Sequence, residues 1–361
     1  MTIIVKKARA LSKGDKVAVV SLSGGMLGED FCKHDIELGR KRLQEFGLEM
    51  VLMPNALKGI KYLKEHPEAR ASDLKAAFAD CSIRGIICAI GGDDTYRLLP
   101  FLMNDAEFLK NVQENPKIFT GFSDSTVNHL MFYKLGLITY YGPNLINDLA
   151  ELADEMLPYT KDAFNRYLEG GNIPAPIRSS DFWYEERTDF SPEAIGTNRI
   201  YHKEIHGYEW ITCKSSFQGK LLGGCLDTLY DLLVKDGAEK EACNKYGLFP
   251  TEESWNGKIL FIETSENHMK PEKLEKILLE LDQRGVLEKI NGILVGKPQD
   301  EIFYEEYKSV YKKVLMKYPN LPVVYNVNFG HAYPRTVMPY GVEVEVDNNK
   351  KEIRFLEEMV L

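Results

Sequence analysis

The chain reads as an α/β protein: an N-terminal domain with a doubly wound parallel sheet, followed by a distinct C-terminal domain of mixed α/β type. Three observations predict this. Short β-branched runs alternate with segments of helical period, which implies parallel strands covered on both faces. A length of 361 residues exceeds what most single cores accommodate. Near residue 170 the alternation gives way to glycine, proline, serine and mixed charge before resuming.

In chain order, residues 16–22 (KVAVVSL) form a buried-strand run, 35–46 have helical period and 49–53 are a second strand. Ser72 opens a helix through Phe78, residues 85–90 are a strand, and a helix starts at Thr95. From Lys117 a short apolar run reads as another strand that stops at Ser123, with a helix from Val127 to Leu135 after the turn. The stretch 169–209 reads as an inter-domain connection carrying the aromatic cluster Phe182-Trp183-Tyr184, between an N-terminal domain over 1–168 and a C-terminal domain over 210–361. Strands follow at 219–222, 258–262, 292–295, 323–327 and 342–346, with helices at 271–284 and 305–317. An aromatic cluster in a polar connection serves either as a packing anchor or as a ligand-binding loop.

Composition excludes several classes of function. With 44% hydrophobic and 27% charged residues the chain has the balance of a globular protein. A formal charge of −9 and the lack of a basic stripe argue against a nucleic-acid polymer as partner. No apolar run approaches the roughly 18 residues of a membrane span. The N-terminus has only a brief apolar stretch at residues 3–5, too short for a signal-peptide core, so a cytoplasmic protein is expected. Six cysteines without a CxxC pair fit reduced thiols, and Cys88 lies in an apolar run as a core residue. His202 and His206 have the i, i+4 spacing of a metal pair but lack the glutamate of HExxH and a nearby third ligand, so no metal is expected.

The segment Gly121-Phe122-Ser123-Asp124-Ser125 carries the strongest chemical signal. An apolar strand stops at a serine and turns into a helix, with small residues two positions away on either side, as a sharp nucleophile elbow requires. The N–H groups after Ser123 then lie at a helix start, where they are placed to hold an oxyanion. The alternative is that Ser123 and Ser125 cap the helix.

Glu263 closes the apolar run Ile259-Leu260-Phe261-Ile262, a costly place for a carboxylate without a partner. His331 follows the strand-like 323–327 run in the same way. Serine, glutamate and histidine therefore all fall where strands end, in one of the orders in which triads occur. His129 lies six residues, or about 600°, along the helix from Ser123 and reads as a surface or packing residue. His268 reads as a solvated turn residue. Gly91-Gly92 is a poor phosphate loop because Asp93-Asp94 follow it. Gly92 is a candidate for one half of an oxyanion hole with Asp124 as the other; a plain tight turn is the alternative.

Further matching segments are Ile90-Gly91-Gly92 with Arg97-Leu98-Leu99-Pro100, Tyr141-Gly142-Pro143 and Gly223-Gly224-Cys225-Leu226, then Gly330-His331 with Met338-Pro339-Tyr340-Gly341-Val342. With the elbow and the Glu263 strand, they make the chain closely resemble the LD-carboxypeptidase and microcin C immunity family of serine peptidases, in order and over nearly the whole length. The resemblance implies a triad of Ser123, Glu263 and His331, an oxyanion hole from the backbone N–H groups of Gly92 and Asp124, a homodimer and no cofactor. It implies either removal of D-alanine from a murein tetrapeptide or cleavage of the amide joining a peptide or aminoacyl group to a nucleotide. Phe182-Trp183 is similar to the loop that stacks on the base in the immunity branch, which favours that branch and makes Trp183 a substrate-binding candidate. Cys225-Leu226-Asp227 departs from the usual Gly-Gly-Asn-Leu pattern, and residues 333–336 depart from the usual Thr-x-Pro. Two rivals remain: a non-catalytic nucleotide- or peptide-binding protein, and a cysteine hydrolase, which would need a cysteine where Ser123 stands.

Overall fold

A computed structural model describes residues 5–171 and 175–361. Most of the short apolar N-terminal stretch, and Pro174 of the expected connection, lie outside the described residues. The architecture is mixed α/β, with a parallel-sheet N-terminal unit and a separate C-terminal sheet unit. The first unit comprises Met1–Ile173, Arg187–Arg199 and Met359–Leu361; the second comprises Pro174–Glu186 and Ile200–Glu358.

In the first unit, β1 (Lys16–Val20), β2 (Glu49–Leu52), β3 (Ile83–Cys88), β4 (Ile118–Gly121) and β5 (Tyr140–Tyr141) lie in the order β2-β1-β3-β4-β5. Every pairing in this series is parallel. The strands are buried because the helices Lys33–Glu45, Pro67–Ala79, Ala106–Glu114 and Thr126–Lys134 connect them and cover the sheet. The helix predicted to open at Ser72 starts earlier, at Pro67, where proline occupies the first turn and lacks the N–H that a helix start leaves unused.

The second unit carries an eight-stranded sheet with a parallel centre. Its strands include β6 (Ile177–Arg178), β9 (Glu209–Trp210), β10 (Phe217–Cys225), β11 (Lys258–Glu263), β12 (Gly292–Gly296) and β13 (Val323–Val327). Strands β10 to β13 are parallel neighbours. Antiparallel Glu343–Asp347 flanks β10, and β9 flanks β13. A separate hairpin pairs β7 (Phe182–Tyr184) with β8 (Tyr201–Lys203).

The stretch 169–209 is therefore divided, not a plain connection. β6 pairs with Glu352–Phe355 and β9 with β13, partners more than 100 residues away in the chain. Residues 187–199 belong to the first unit. Arg187 Nη2 and Arg199 Nε donate to Glu151 at 2.6 and 2.7 Å, and all three side chains are almost fully buried. The final residues also belong to the first unit, where Leu361 N–H donates to Ala8 and Ala10 N–H to Leu361 at 2.8 and 2.7 Å.

Among the described residues no helix is long and apolar enough to cross a membrane. Among the described residues the six cysteines form no disulfide, and Cys88 is buried as its apolar setting predicts.

Glu151 is the common acceptor for two buried guanidinium groups. Glu151→Leu leaves both without it and is expected to destabilise the first unit by about 3–5 kcal/mol. Urea unfolding monitored by circular dichroism, where an unchanged midpoint would contradict this role, is the check.

Candidate active site

β4 ends at Gly121, and the chain turns through Phe122 into a short 3-10 segment, Ser123–Ser125, before the helix Thr126–Lys134. Ser123 has φ 65°, a left-handed conformation that a side-chain-bearing residue adopts only when its surroundings impose it. Those surroundings are tight. A Cβ on Gly121 would fall 2.9 Å from both Cys88 and Ser125 side-chain atoms, and one on Gly91 would fall 2.8 Å from Ser123 Cβ. Ser123 is half-buried between buried neighbours. Ser125 occupies the N-cap position of the following helix but makes no side-chain capping bond, so the capping alternative loses its support at Ser125.

Two residues that sequence reasoning did not assign to this turn hold it. Tyr141 Oη accepts the Ser123 N–H at 3.0 Å. His129 is fully buried and bridges Thr139 Oγ1 and the Gly121 carbonyl, at 2.8 and 2.9 Å. A carbonyl only accepts, so Nε2 carries the proton and the ring is neutral; burial lowers its pKa to about 3, against the Gly121 bond. The sequence hints of this support are the aromatic and polar setting of β5, Ile138-Thr139-Tyr140-Tyr141, and the matching segment Tyr141-Gly142-Pro143.

Asp124 is buried, and its carboxylate accepts Ser23 Oγ–H at 2.6 Å and Thr95 N–H at 2.9 Å. Burial raises its pKa while these bonds oppose the rise. Ser23 in turn abuts Gly92, where an added Cβ would meet Ser23 Oγ at 2.3 Å and Gly24 N at 2.7 Å. The Asp124 side chain thus ties the turn after β3 to the turn after β4, and with it the two backbone positions expected to face an oxyanion.

In the second unit Glu263 ends β11 and His331 follows β13. His331 Nδ1 lies 2.8 Å from Glu263 Oε2, and its backbone N–H donates to the same oxygen at 3.2 Å. Glu263 is 1% exposed and His331 7%. Gly330 has φ 85°, and a Cβ there would lie 2.3 Å from Glu263 Cγ; one on Gly296 would lie 2.6 Å from Glu263 Cβ. Only glycine lets the two loops close over the carboxylate. Behind the histidine, the buried Arg335 donates Nη2–H to the His331 carbonyl at 3.1 Å.

Two further groups surround this pair. Glu266 Oε2 sits 3.0 Å from His331 Nε2, with its own side chain 58% exposed. Cys225 ends β10 directly opposite Glu263 in the parallel register. Burial disfavours charge on His331, but the carboxylates of Glu263 and Glu266 outweigh it and lift its pKa to about 10. Glu266 is pulled down to about 2, chiefly by its hydrogen bond to His331. Water screens this exposed contact, so Glu266 is the weaker and more readily displaced of the two carboxylates. Burial pushes the Cys225 thiol well up, and the Glu263 and Asp227 carboxylates add to the effect.

Trp183 lies on β7 opposite His202 on β8, their rings stacked with centroids 4.3 Å apart. His202 Nε2 is 2.7 Å from Glu185 Oε1. Lys297, just past β12, is 1% exposed and places its ammonium 5.0 Å from the Trp183 ring centre, with Glu204 and Glu301 as ion-pair partners. Sequence reasoning did not single out Lys297; its one signal is a lysine directly after a strand of buried residues. His206 stacks on Tyr304 at 4.6 Å, so the two histidines with metal-pair spacing are each engaged with an aromatic ring. His268 is partly buried, with φ 47°, in the turn beyond Glu266.

Known proteins resemble this chain in sequence and in fold. The LD-carboxypeptidase N-terminal domain matches residues 17–142, and the LD-carboxypeptidase C-terminal domain matches residues 218–346. The structure of an MccF-like protein from Streptococcus pneumoniae, solved in complex with AMP, superposes with a TM-score of 0.90 at 48% identity, covering 95% of this chain and 98% of that one. The probable murein peptide carboxypeptidase of Bacillus subtilis is 28% identical, over 96% of this chain and 92% of its own. The microcin C7 self-immunity protein MccF of Escherichia coli is 27% identical, over 97% and 96%.

Removing the Glu266 charge removes one of the two carboxylates that hold the His331 ring protonated. In Glu266→Gln the ring is expected to lose its proton at lower pH than in the parent. Nuclear magnetic resonance titration of the imidazole carbons reads this directly, and an unchanged midpoint would show that Glu263 alone sets it.

Proposed function

Because this chain belongs to the LD-carboxypeptidase family, we propose that it is a serine hydrolase acting on the amide that joins an aminoacyl or peptidyl group to a nucleotide. The observation that carries the hydrolytic reading is the buried Glu263–His331 pair, with Nδ1 against the carboxylate at 2.8 Å. In that arrangement Glu263 orients the ring and leaves Nε2 to exchange protons with a nucleophile.

Ser123 is the proposed nucleophile. With Glu266 displaced from Nε2, His331 loses its charge more readily and takes the Ser123 hydroxyl proton as the oxygen attacks the scissile carbonyl carbon. The backbone N–H groups of Gly92 and Asp124 hold the oxyanion, while the Ser123 N–H stays on Tyr141. His331 then gives the proton to the leaving amine, activates water for attack on the acyl-enzyme and returns to its starting state. No metal or organic cofactor enters these steps.

The nucleotide preference is supported by two features: the Trp183 ring, and the 48% identical relative solved with AMP. Trp183 is a partly buried indole on the hairpin, stacked on His202 and with the Lys297 ammonium 5.0 Å from its centre, and an aromatic ring beside a cation suits the base of an anionic nucleotide. The second reading is removal of D-alanine from a murein tetrapeptide, supported by the Bacillus subtilis relative. A homodimer is the proposed assembly, which analytical ultracentrifugation tests.

Mass spectrometry of products from an aminoacyl nucleotide and a murein tetrapeptide separates the two readings. Release of the nucleotide part by the parent, and a loss of at least about 10³-fold in Ser123→Ala, are expected. Release of D-alanine alone would transfer the assignment to cell-wall recycling, and comparable turnover by Ser123→Ala would remove Ser123 as nucleophile. Gly330→Ala crowds the Glu263 carboxylate, and a displacement of that size is expected to lower kcat on the order of 10²-fold with the fold retained. Steady-state kinetics alongside a thermal melt distinguish this from unfolding.

A further inference from the structure

Cys225, Glu263 and His331 are a thiol, a carboxylate and an imidazole whose ligand atoms all lie within 4.8 Å of one another, and all three residues are buried. Among the described residues this is the one such group of three. The proposed hydrolysis uses the last two and has no task for the thiol. We infer that these side chains form an inhibitory binding site for a thiophilic divalent cation of the zinc class.

The donor set fits that class of ion. Sulfur, nitrogen and oxygen donors in threes are how zinc is held when a fourth position stays open. Tetrahedral bonds of about 2.0–2.3 Å put ligand atoms about 3.4 Å apart, so the thiol moves inward while the Nδ1–Oε2 pair, now at 2.8 Å, opens slightly. The fold places the ligands with little freedom to lose. Cys225 and Glu263 are register partners on adjacent parallel strands, and Gly330 presses His331 against Glu263.

Charge and the second ring nitrogen favour the same arrangement. A dication with a thiolate, a carboxylate and a neutral imidazole sums to zero, which removes most of the penalty for a buried charge. With Nδ1 on the metal, the ring keeps its Nε2 proton and donates it to Glu266, already 3.0 Å away. A metal-bound histidine usually donates its other ring N–H to a carboxylate, a carbonyl or water, which fixes ring orientation and tautomer. Binding forms bonds from the ion to sulfur, nitrogen and oxygen, and releases the Cys225 thiol proton and the Nδ1 proton of the imidazolium to solvent.

Occupancy would replace the hydrogen bond between His331 Nδ1 and Glu263 with bonds to the ion and hold Nε2 as a donor to Glu266, so the ring would have no lone pair left to accept a proton. The ion-binding claim stands apart from the substrate reading; only the inhibition rests on that reading.

Cobalt(II) added to the metal-free full-length protein reports ligation without turnover. One equivalent is expected to give a thiolate-to-cobalt charge-transfer band in the near ultraviolet, bleached by zinc and abolished in both Cys225→Ala and Cys225→Ser, whose folding is checked by circular dichroism. In parallel, zinc is expected to inhibit hydrolysis reversibly, with chelator restoring it, and Cys225→Ala to need at least about tenfold more zinc for the same effect. A cobalt spectrum without the charge-transfer band, or one unchanged by loss of Cys225, overturns the site. The band in a protein that hydrolyses neither substrate keeps the site and rejects the hydrolase reading.

Discussion

A single carboxylate, Glu263, is buried at the end of an apolar strand, and the chemistry available in the second unit depends on how its charge is met. Taking an ionised carboxylate out of water is tolerable only with close hydrogen-bond donors, and Glu263 receives the His331 ring and the His331 backbone N–H on one oxygen. That demand propagates outward. The loop after β13 has to bring its backbone against the carboxylate, so residue 330 is a glycine with φ 85°, and the end of β12 has to leave space for the Glu263 side chain, so residue 296 is a glycine too. The imidazole is held on both faces of its chemistry: Nδ1 by the buried Glu263, Nε2 by the open Glu266.

The first unit solves a different problem with the same tools. Ser123 stands in a left-handed conformation, which costs on the order of 1–3 kcal/mol and persists because neighbouring contacts over-determine it. Glycines at 91 and 121 remove the atoms that would otherwise collide, Tyr141 takes the Ser123 N–H, and the neutral His129 donates to the Gly121 carbonyl just before the turn. The Asp124 carboxylate then links this turn to the one after β3 through Ser23 and Thr95. In each unit the candidate side chains stand at the carboxyl ends of parallel strands, where the backbone leaves the sheet.

The candidate residues could be picked out of the sequence for a definite reason. Ser123, Glu263 and His331 each interrupt or terminate an apolar run, and a polar residue at a strand end is a local pattern. The supporting residues carry no such mark. Tyr141 and His129 look like ordinary members of a buried strand and helix, and Glu266 like any turn glutamate. Cys225 stands out in sequence only as a departure from the usual Gly-Gly-Asn-Leu pattern, and its register with Glu263, set by two strands more than thirty residues apart, gives it a chemical neighbour. The stretch 169–209 misled for a related cause: its short strands exist through partners such as Glu352–Phe355, and two-residue pairings leave no periodicity to detect.

The α/β class, the parallel strands and the positions where strands give way to polar side chains are written locally in the chain, because hydrophobic period and turn chemistry act over a few neighbouring positions. Tertiary structure decided which of those side chains meet. The protonation of His331 follows from two carboxylates brought to opposite ring nitrogens, the neutrality of His129 from complete burial, and the company of Cys225 from strand register. Each is a property of distances between residues far apart in the chain, and Coulomb attraction, desolvation and hydrogen bonding act through those distances and not through sequence order.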